Sequence, residues 1–226
     1  MFLRTFMCSR FTLKTNMAAI LKLLGIEQVV EWKPSYNVAP SQKIPLAFVN
    51  EKSKQREMKL SPWGLRLGER LVVNAQSETV FEKPSFKEPI QKGRCLIPVD
   101  GFYEWRHEGK ETRPYFIRLK DQQPFALAGF WAASRGQAFE SCVILTVEPN
   151  RTIQAIHNRM PFIVPPQHFE QWLDGEQKEE NLKPLLKSYS DELMEAYEIS
   201  DWVNSPSHND ARCMEPFTNP GTLSLF

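Results

Sequence analysis

The chain has 226 residues, of which 42% are apolar and 24% charged, with a formal net charge of +1, a composition that indicates one large folded domain or two small ones. This balance excludes disordered and collagen-like classes and argues against a strongly basic nucleic-acid-binding protein. No run of 18 apolar residues occurs, and Arg4 interrupts the opening MFLRTFM. Neither a membrane span nor a signal peptide is therefore indicated, and we expect a soluble cytoplasmic protein.

The charge is distributed unevenly along the chain. Residues 170 to 201 carry ten acidic and three basic side chains, whereas residues 1 to 169 carry 24 basic and 15 acidic ones. The first part could therefore attract polyanions while the second repels them. A solvated helical face explains the acidic stretch equally well, so the asymmetry supports anion binding only weakly.

The apolar pattern predicts one helix near the start of the chain, then strands, then further helices. Thr15 or Asn16 can cap the run MAAILKLLG, which has helical spacing and stops at Gly25. Short apolar runs bounded by turn residues predict strands at 44–50, 58–65, 94–105, 114–119, 124–132 and 142–147. Helices are predicted at 149–157, 165–173 and in the acidic stretch 182–196. Because strands and helices are segregated, and 17 prolines disfavour a regular parallel sheet, we predict an α+β fold with an antiparallel sheet or partly closed barrel.

The common motifs of nucleotide hydrolysis, Rossmann redox chemistry, serine hydrolysis and zinc proteolysis are missing from the sequence. The four cysteines are scattered without a CxxC pair, and His157 and His168, the only two histidines within helical reach of each other, have the proline pair 165–166 between them. We therefore expect neither a metal nor another cofactor. Cys95 and Cys142 lie in apolar runs and are predicted to be small core residues.

Two polar residues stand where polar side chains are unusual. Glu104 lies among the aromatic residues of DGFYEW, which would desolvate a carboxylate and favour the protonated form that a general acid needs. His157 in HNRMP has Arg159 close by, which sets a fixed cation beside a proton-transfer group. Taken singly, each is more easily explained as structural: Glu104 can point outward from a strand, and a lone histidine is more often a hydrogen-bonded surface residue.

Cys8 differs from the other cysteines because it follows Met7 directly. If translation begins at Met7 and that methionine is removed, Cys8 carries a free amine and a thiol on adjacent carbons. Such a 1,2-aminothiol condenses with an aldehyde through a Schiff base and closes to a thiazolidine ring. An α-amine has a pKa of about 7.7 to 8.0, so a useful fraction is neutral and nucleophilic at cellular pH.

Six motifs in chain order resemble those of one protein family. They are MCSRF (7–11), YNVAP (36–40), PWGL (62–65), NAQSET (74–79), CLIPVDGFYEW (95–105) and HNRMP (157–161). Together they are similar to the SRAP family, the SOS response-associated peptidases that are also described as abasic-site processing proteins. The resemblance implies a single α+β domain with a β-barrel-like core and peripheral helices, no cofactor, and a positively charged groove for single-stranded DNA.

The same resemblance implies covalent chemistry at the N-terminus. In the family, an exposed N-terminal cysteine forms a thiazolidine crosslink with the ring-opened sugar of an abasic site. Residues 1–7 would then be a leader or upstream extension that the active form lacks, and residues 8–226 a single domain, which we expect to be monomeric. The implied catalytic residues are Cys8 as the nucleophile, Asn74 holding the sugar or the amine, Glu104 handling protons, and His157 in sugar ring opening and crosslink reversal.

The resemblance also implies a DNA-binding surface. Asn37 and Arg159 would hold phosphates, and Pro40, Trp63 and Trp105 would form the apolar surface on which bases stack. Gln76 occupies the position where the family motif has an arginine that would clamp a phosphate.

The sequence departs from the family pattern at Ser9, where a glycine is usual, at Gln76, and in the six residues before Met7. Two alternatives to covalent trapping of abasic DNA therefore stay open. One is a thiol autopeptidase or peptidase that uses Cys8, Glu104 and His157. The other is a single-stranded DNA-binding module without chemistry.

Overall fold

The computed structural model describes residues 9–28, 30–133 and 140–218. In chain order, the strands are β1 (Arg10–Leu13), β2 (Ser35–Val38), β3 (Lys43–Val49), β4 (Arg56–Pro62), β5 (Leu65–Leu67), β6 (Arg70–Val72), β7 (Asn74–Gln76), β8 (Arg94–Val99), β9 (Gly101–Glu108), β10 (Glu111–Leu119), β11 (Phe125–Ala133), β12 (Glu140–Val147), β13 (Met160–Pro161), β14 (Ile163–Val164) and β15 (Met194–Glu198). The α-helices are α1 (Met17–Leu24), α2 (Pro84–Lys92), α3 (Arg151–Gln154), α4 (Phe169–Leu173) and α5 (Glu179–Leu182). Short 3₁₀ turns span Pro166–His168, Lys183–Leu185, Asp191–Leu193, Asp201–Asn204 and Ala211–Met214.

Most strands belong to two sheets. The first sheet has five strands in the spatial order β15-β10-β9-β1-β2, and all its pairs are antiparallel. The second sheet has the order β13-β12-β11-β8-β3-β4, with β14 paired to β11 and β7 paired to β12. The pairing of β7 with β12 is parallel, and it joins two segments that lie far apart in the sequence.

The predicted α+β class with mostly antiparallel sheets is confirmed, and the core differs from the expected barrel-like form in one respect. Within the described residues, neither sheet closes on itself. Trp63, just after β4, makes only an isolated bridge to Cys142 of β12, and one bridge does not form the continuous hydrogen-bonded ladder that closure needs.

The two sheets share one hydrophobic core. Phe11 and Phe102 of the first sheet belong to the same buried cluster as Ile97 and Ile144 of the second. Phe11 also packs on Trp63, with the ring centroids 5.2 Å apart. This contact holds the start of β1 against the second sheet.

The first helix is confirmed, because the Asn16 side chain accepts a hydrogen bond from the Ala19 N–H and Gly25 ends the helix at φ 65°. The prediction of a helix over 182–196 is wrong. Pro184 lacks the N–H that a continuing α-helix needs, and the segment turns instead through two short 3₁₀ stretches into β15, which pairs with β10. No helix in the described part of the chain is long and apolar enough to cross a membrane.

The predicted strand 94–105 is two strands, because the chain bends at Asp100. The Asp100 carboxylate accepts hydrogen bonds from the Lys14 and Thr15 N–H groups, and so ties this bend to the turn before α1. β8 before the bend belongs to the second sheet, and β9 after it belongs to the first. The bend is therefore a covalent link between the sheets, and it directs Glu104 into the first sheet.

Candidate functional site

Glu104, on β9, lies beside the N-terminal end of β1, the end from which the chain leads back to Cys8. Arg10, the first residue of β1, pairs with Tyr103 of β9, so Glu104 is the next residue of β9 on the side where the chain continues to Ser9. Glu104 is only 1% exposed, and its register partner on the other neighbouring strand is Tyr115. Cys8 itself lies outside the described residues, as do residues 1–7.

Asn74 and Gln76 lie on β7, which is held at the side of β12. Asn74 pairs with Ile144 and Gln76 with Thr146, and the Thr146 hydroxyl donates to the Ala75 carbonyl at 3.1 Å. Asn74 is half-buried, whereas Gln76 is exposed. Because alternate residues of a strand face opposite ways, Asn74 and Gln76 share one face of β7.

An open groove of about 1230 Å³ runs beside β7. Its lining includes Asn74, Gln76, Arg70, Lys83 and Thr146. Two cationic side chains therefore line the groove together with Gln76, although Glu69, also in the lining, offsets part of their charge. The groove can admit an extended anionic ligand.

His157 lies just after α3, in the turn that leads into β13. Its backbone N–H donates to the Ile153 carbonyl at 2.8 Å. Its ring Nδ1 accepts a hydrogen bond from the backbone N–H of Arg159 at 3.1 Å. A nitrogen that accepts from an N–H carries no proton, so the neutral ring has its proton on Nε2. Burial lowers the pKa of His157, and the charge of nearby His107 on β9 lowers it further. The ring is therefore poised as a neutral Nε2–H donor.

The Arg159 side chain is already engaged. It makes two parallel hydrogen bonds to the Glu78 carboxylate, Nη1 to Oε1 at 2.6 Å and Nη2 to Oε2 at 2.8 Å, and Nη2 also donates to the Thr146 carbonyl at 2.7 Å. The side chain is 13% exposed. A phosphate can contact this guanidinium only by displacing Glu78 or by binding the small part of the guanidinium that is exposed to solvent.

Asn37 and Trp63 do not occupy the DNA-facing positions predicted for them. Asn37 is 1% exposed, and its amide donates to the carbonyls of Val203, Ser205 and His208 while it accepts from Arg10. Trp63 is fully buried and donates from its indole N–H to the Val73 carbonyl at 3.1 Å. Asn37 therefore holds the segment 203–208 in place, and Trp63 fills the core, because a fully buried ring offers no face to a base.

Pro40 and Trp105 remain partly exposed, as base-stacking residues need to be. Pro40 follows β2, and the next residue, Ser41, donates its N–H to the Trp63 carbonyl at 2.7 Å. The Trp105 indole N–H donates to the Asn204 side chain at 2.8 Å. Both residues flank the end of β1, since β2 and β9 are the two neighbours of that strand.

The site therefore has two parts joined through packed residues. One part is the end of β1 with Glu104, Pro40 and Trp105, and the other is the β7 edge with Asn74 and His157. Trp63 connects them, because it packs on Phe11 of β1 and donates to Val73, the residue before Asn74.

Two residues in this region were not singled out from the sequence, although both lie inside the quoted motifs. Glu78 of NAQSET pairs with Arg159, and Arg10 of MCSRF donates to Asn37 and to the Val203 carbonyl at 3.0 Å. The available signal was an acidic and a basic residue within short motifs, but nothing in the local sequence identifies the partner of either.

The three cysteines that the structure describes are poor nucleophiles. Cys95, Cys142 and Cys213 are unbridged and buried, and burial raises the pKa of Cys142 to about 12. A thiol with so high a pKa supplies almost no thiolate at neutral pH. Among the described residues, no group of three His, Cys, Asp or Glu side chains could hold a metal ion.

The fold and the motifs together define a member of one family. The model of the SOS response associated peptidase (SRAP) family matches residues 7–206, and the chain belongs to this family. The chain is 40% identical to the abasic site processing protein YoaM of Bacillus subtilis, over 92% of this chain and 98% of that protein. It is 30% identical to the abasic site processing protein YedK of Escherichia coli, over 75% of this chain and 81% of that protein.

Solved structures share the architecture. A protein from Bacteroides thetaiotaomicron superposes with a TM-score of 0.82 at 28% identity, covering 93% of this chain and all of that one. A phage-related protein from Bordetella bronchiseptica gives a TM-score of 0.72 at 24% identity over 85% of this chain and 94% of that one. The second likeness supports the fold alone.

Proposed function

We propose that this protein recognises abasic sites in single-stranded DNA and traps them covalently through an N-terminal Cys8. The course of β1 carries the proposal. The strand is paired on both sides and begins beside Glu104, so Cys8, two residues before Arg10, is covalently tied to the N-terminal end of the strand. The names of the relatives, which are abasic site processing proteins, support the choice of DNA lesion.

The proposed reaction needs no oxidant and no cofactor. An abasic sugar in its ring-opened form presents an aldehyde carbon. The neutral α-amine of Cys8 attacks this carbon, and loss of one water from the carbinolamine gives a Schiff base. The Cys8 sulfur then adds to the C=N carbon while its proton passes to the nitrogen, which closes the thiazolidine ring. The sum is aminothiol plus aldehyde giving thiazolidine plus water.

Glu104 and His157 would move protons in these steps. Glu104 stands next to the end of β1 and would protonate the leaving hydroxyl of the carbinolamine. His157, with its proton on Nε2, would donate to the ring oxygen as the sugar opens. General acid catalysis of this kind typically contributes about 10² to 10⁴ in rate. Asn74, half-buried at the groove, would hold the sugar by hydrogen bonds.

The DNA strand would follow the groove beside β7 and cross the end of β1. Arg70 and Lys83 line this groove and would contact phosphates, while Pro40 and Trp105 would pack against bases. Aromatic stacking contributes about 1 to 3 kcal/mol per base and tolerates any sequence. The binding would therefore depend on salt more than on base sequence.

A second candidate is a thiol autopeptidase, which the peptidase description of the matching family favours. The same Cys8, Glu104 and His157 would then release a leader of residues 1–7. The two activities are compatible, because release of the leader would expose the amine that the crosslink needs.

The test is to incubate protein that begins at Cys8 with single-stranded oligonucleotides that do or do not contain an abasic site, and to resolve the products on denaturing gels. A heat-stable adduct should form only with abasic DNA, and Cys8→Ala should abolish it while retaining noncovalent binding. Alanine keeps the terminal amine but cannot close the ring. A matched Cys213→Ala variant, which alters a buried thiol, should crosslink like the unmodified protein.

Three outcomes separate the candidates. An undiminished stable adduct with Cys8→Ala would contradict the thiazolidine mechanism. Leader release by protein that still carries residues 1–7, without any adduct once Cys8 is free, would favour the peptidase. Binding of single strands by protein with a free Cys8, but without adduct or cleavage, would favour a DNA-binding module without chemistry.

A further inference from the structure

We infer that Glu78 is a positioning residue, which fixes the tautomer and orientation of the His157 ring by holding Arg159. This inference rests on the proposed function for its consequence in the reaction. Glu78 lies in the turn after β7, whereas Arg159 lies 81 residues later in the turn before β13. Nothing in the local sequence of either turn requires the pairing.

The Glu78–Arg159 pair has the geometry of a rigid clamp. Both carboxylate oxygens accept from the two terminal nitrogens of one guanidinium, at 2.6 and 2.8 Å, which is the planar two-bond arrangement that only arginine can make. The third bond, from Nη2 to the Thr146 carbonyl, fixes the guanidinium against β12. Thr146 also accepts from the Ser77 N–H at 2.9 Å, so one carbonyl anchors both turns.

This clamp acts on His157 through the backbone of Arg159. With its guanidinium held at three points, the Arg159 side chain restricts the rotation of its own main chain. The N–H of that main chain donates to Nδ1 of His157. A neutral imidazole otherwise exchanges between two tautomers, and this bond selects the one with the proton on Nε2.

The charge state of Glu78 suits the role. Burial alone would raise the pKa of Glu78, but the hydrogen bonds and the positive charge of Arg159, together with hydrogen bonds from the Glu78 backbone and from Ser77, lower the pKa overall. The carboxylate is therefore ionised at neutral pH and attracts the guanidinium. Glu78 is itself 48% exposed, so its replacement should not leave a buried void.

A different role for the same pair is a latch, in which Glu78 competes with a DNA phosphate for Arg159. The two roles predict opposite effects on DNA binding. Loss of a latch would free the guanidinium and tighten binding to intact single strands. Loss of a positioning residue would leave that affinity unchanged and would slow the reaction.

The test compares Glu78→Gln with the unmodified protein and with Glu82→Gln, a control that neutralises an exposed carboxylate four residues away. The ¹⁵N chemical shifts of the His157 ring are measured in DNA-free protein, and crosslinking rates and affinity for an intact oligonucleotide are measured alongside. Glutamine turns an N–H₂ towards one guanidinium nitrogen, so one of the two parallel bonds is lost. The Nδ1 and Nε2 signals, well separated in the unmodified protein, should then move towards each other.

With Glu78→Gln, crosslinking should slow by about tenfold or more, part of the 10² to 10⁴ that a proton-transfer residue itself contributes. Affinity for the intact strand should not change. Glu78→Asp, which restores the carboxylate, should recover most of the rate and the separated ring signals. Glu82→Gln should match the unmodified protein in all three measurements.

Unchanged ring signals in folded Glu78→Gln would overturn the inference, and tighter binding to intact DNA with those unchanged signals would identify a latch instead. If Glu78→Gln does not fold, Glu78→Asp and Arg159→Lys supply the same comparison, since lysine lacks the planar fork. If the unmodified protein forms no adduct, the proposed function fails. The ring signals would still decide whether Glu78 positions His157.

Discussion

The protonation of His157 is the property of a single residue on which the proposed chemistry depends most. Burial lowers its pKa, and the nearby His107 adds to this effect. The ring is therefore neutral over a wider pH range than an exposed histidine. The Arg159 N–H donates to Nδ1, so the single proton of the neutral ring is on Nε2. At neutral pH the ring is therefore uncharged and has one N–H group that can donate.

This property predicts a pH dependence of stability. Because the folded-state pKa of His157 lies below its unfolded value of about 6.5, the unfolded chain binds the proton more tightly. The contribution of His157 is fully present above the unfolded pKa and is lost as the pH falls through the folded pKa. Between pH 7.5 and 5.5, urea denaturation should show a smaller loss of unfolding free energy for His157→Gln than for the unmodified protein. Equal losses would mean that His157 is not desolvated in the folded state.

Gln76 sets a second prediction at this scale. It is exposed in the groove beside Arg70 and Lys83, where an added arginine could reach one more phosphate. For Gln76→Arg, the slope of log K against log salt concentration for single-stranded DNA should steepen by about 0.7. Gln28→Arg, exposed outside this groove, is the matched control. An unchanged slope would show that residue 76 does not face the DNA backbone.

At the scale of the secondary-structure elements, the C-terminal ends of α2 and α4 are both capped by one buried cation, Arg94. Arg94, the first residue of β8, is 3% exposed and donates to the Ile90 and Gln91 carbonyls near the end of α2. It also donates to the Trp172 and Asp174 carbonyls at the end of α4. Carbonyls at helix C-termini lack partners within the helix and carry partial negative charge. Burial lowers the pKa of Arg94 to about 10, so the guanidinium stays charged at neutral pH.

Arg94→Met should therefore destabilise the fold strongly. Methionine fills a similar volume but leaves buried carbonyls without donors, each costing about 1 to 3 kcal/mol, and relaxation of the helix ends should limit the total to roughly 2 to 4 kcal/mol. Urea denaturation measures this loss. Lys92→Met removes an exposed cation at the end of the same helix and should change stability by less than about 0.5 kcal/mol. A loss for Arg94→Met no larger than that of the control would contradict the capping role.

At the scale of the whole molecule, β1 is an inner strand of its sheet. It lies between β9 and β2, and its Phe11 packs on Trp63 of the second sheet. The residues next to Cys8 are thus held by both neighbouring strands and by the packing of Phe11 on Trp63, as the proposed covalent site requires. The basic first part of the chain forms this region, and the excess of acidic residues after position 169 lies outside the motifs.

The proposed chemistry predicts that the working protein begins at Cys8, because only a free amine next to the thiol can form the ring. Protein made from the full reading frame should show Cys8 first by intact mass and N-terminal sequencing. Glu104→Gln should retain residues 1–7 if the protein removes its own leader, and should not if translation starts at Met7. A homogeneous chain that began at Met1 and still formed a stable abasic-site adduct would overturn the account.

The sequence by itself determined the fold class, the family and most of the candidate residues. Apolar runs and turn residues act on near neighbours, so α1 and the strands β3, β10, β11 and β12 follow from local pattern. The helix predicted over the acidic stretch 182–196 was wrong for the same reason, because a local pattern does not include distant partners. The stretch has helical local propensity, but β15 forms there by pairing with the distant β10. Short motifs were enough to propose Glu104, His157 and the cysteine of the MC dipeptide as candidate site residues.

Only the tertiary structure decided which of those residues face the groove and which support it. The family resemblance predicts that Trp63 and Asn37 contact DNA, but both side chains are buried. Trp63 is a core side chain, and Asn37 holds the segment 203–208 by hydrogen bonds. The parallel pairing of β7 with β12 brings Glu78 to Arg159 across 81 residues. No local pattern encodes that contact, because the choice of partner depends on how both sheets pack around one core.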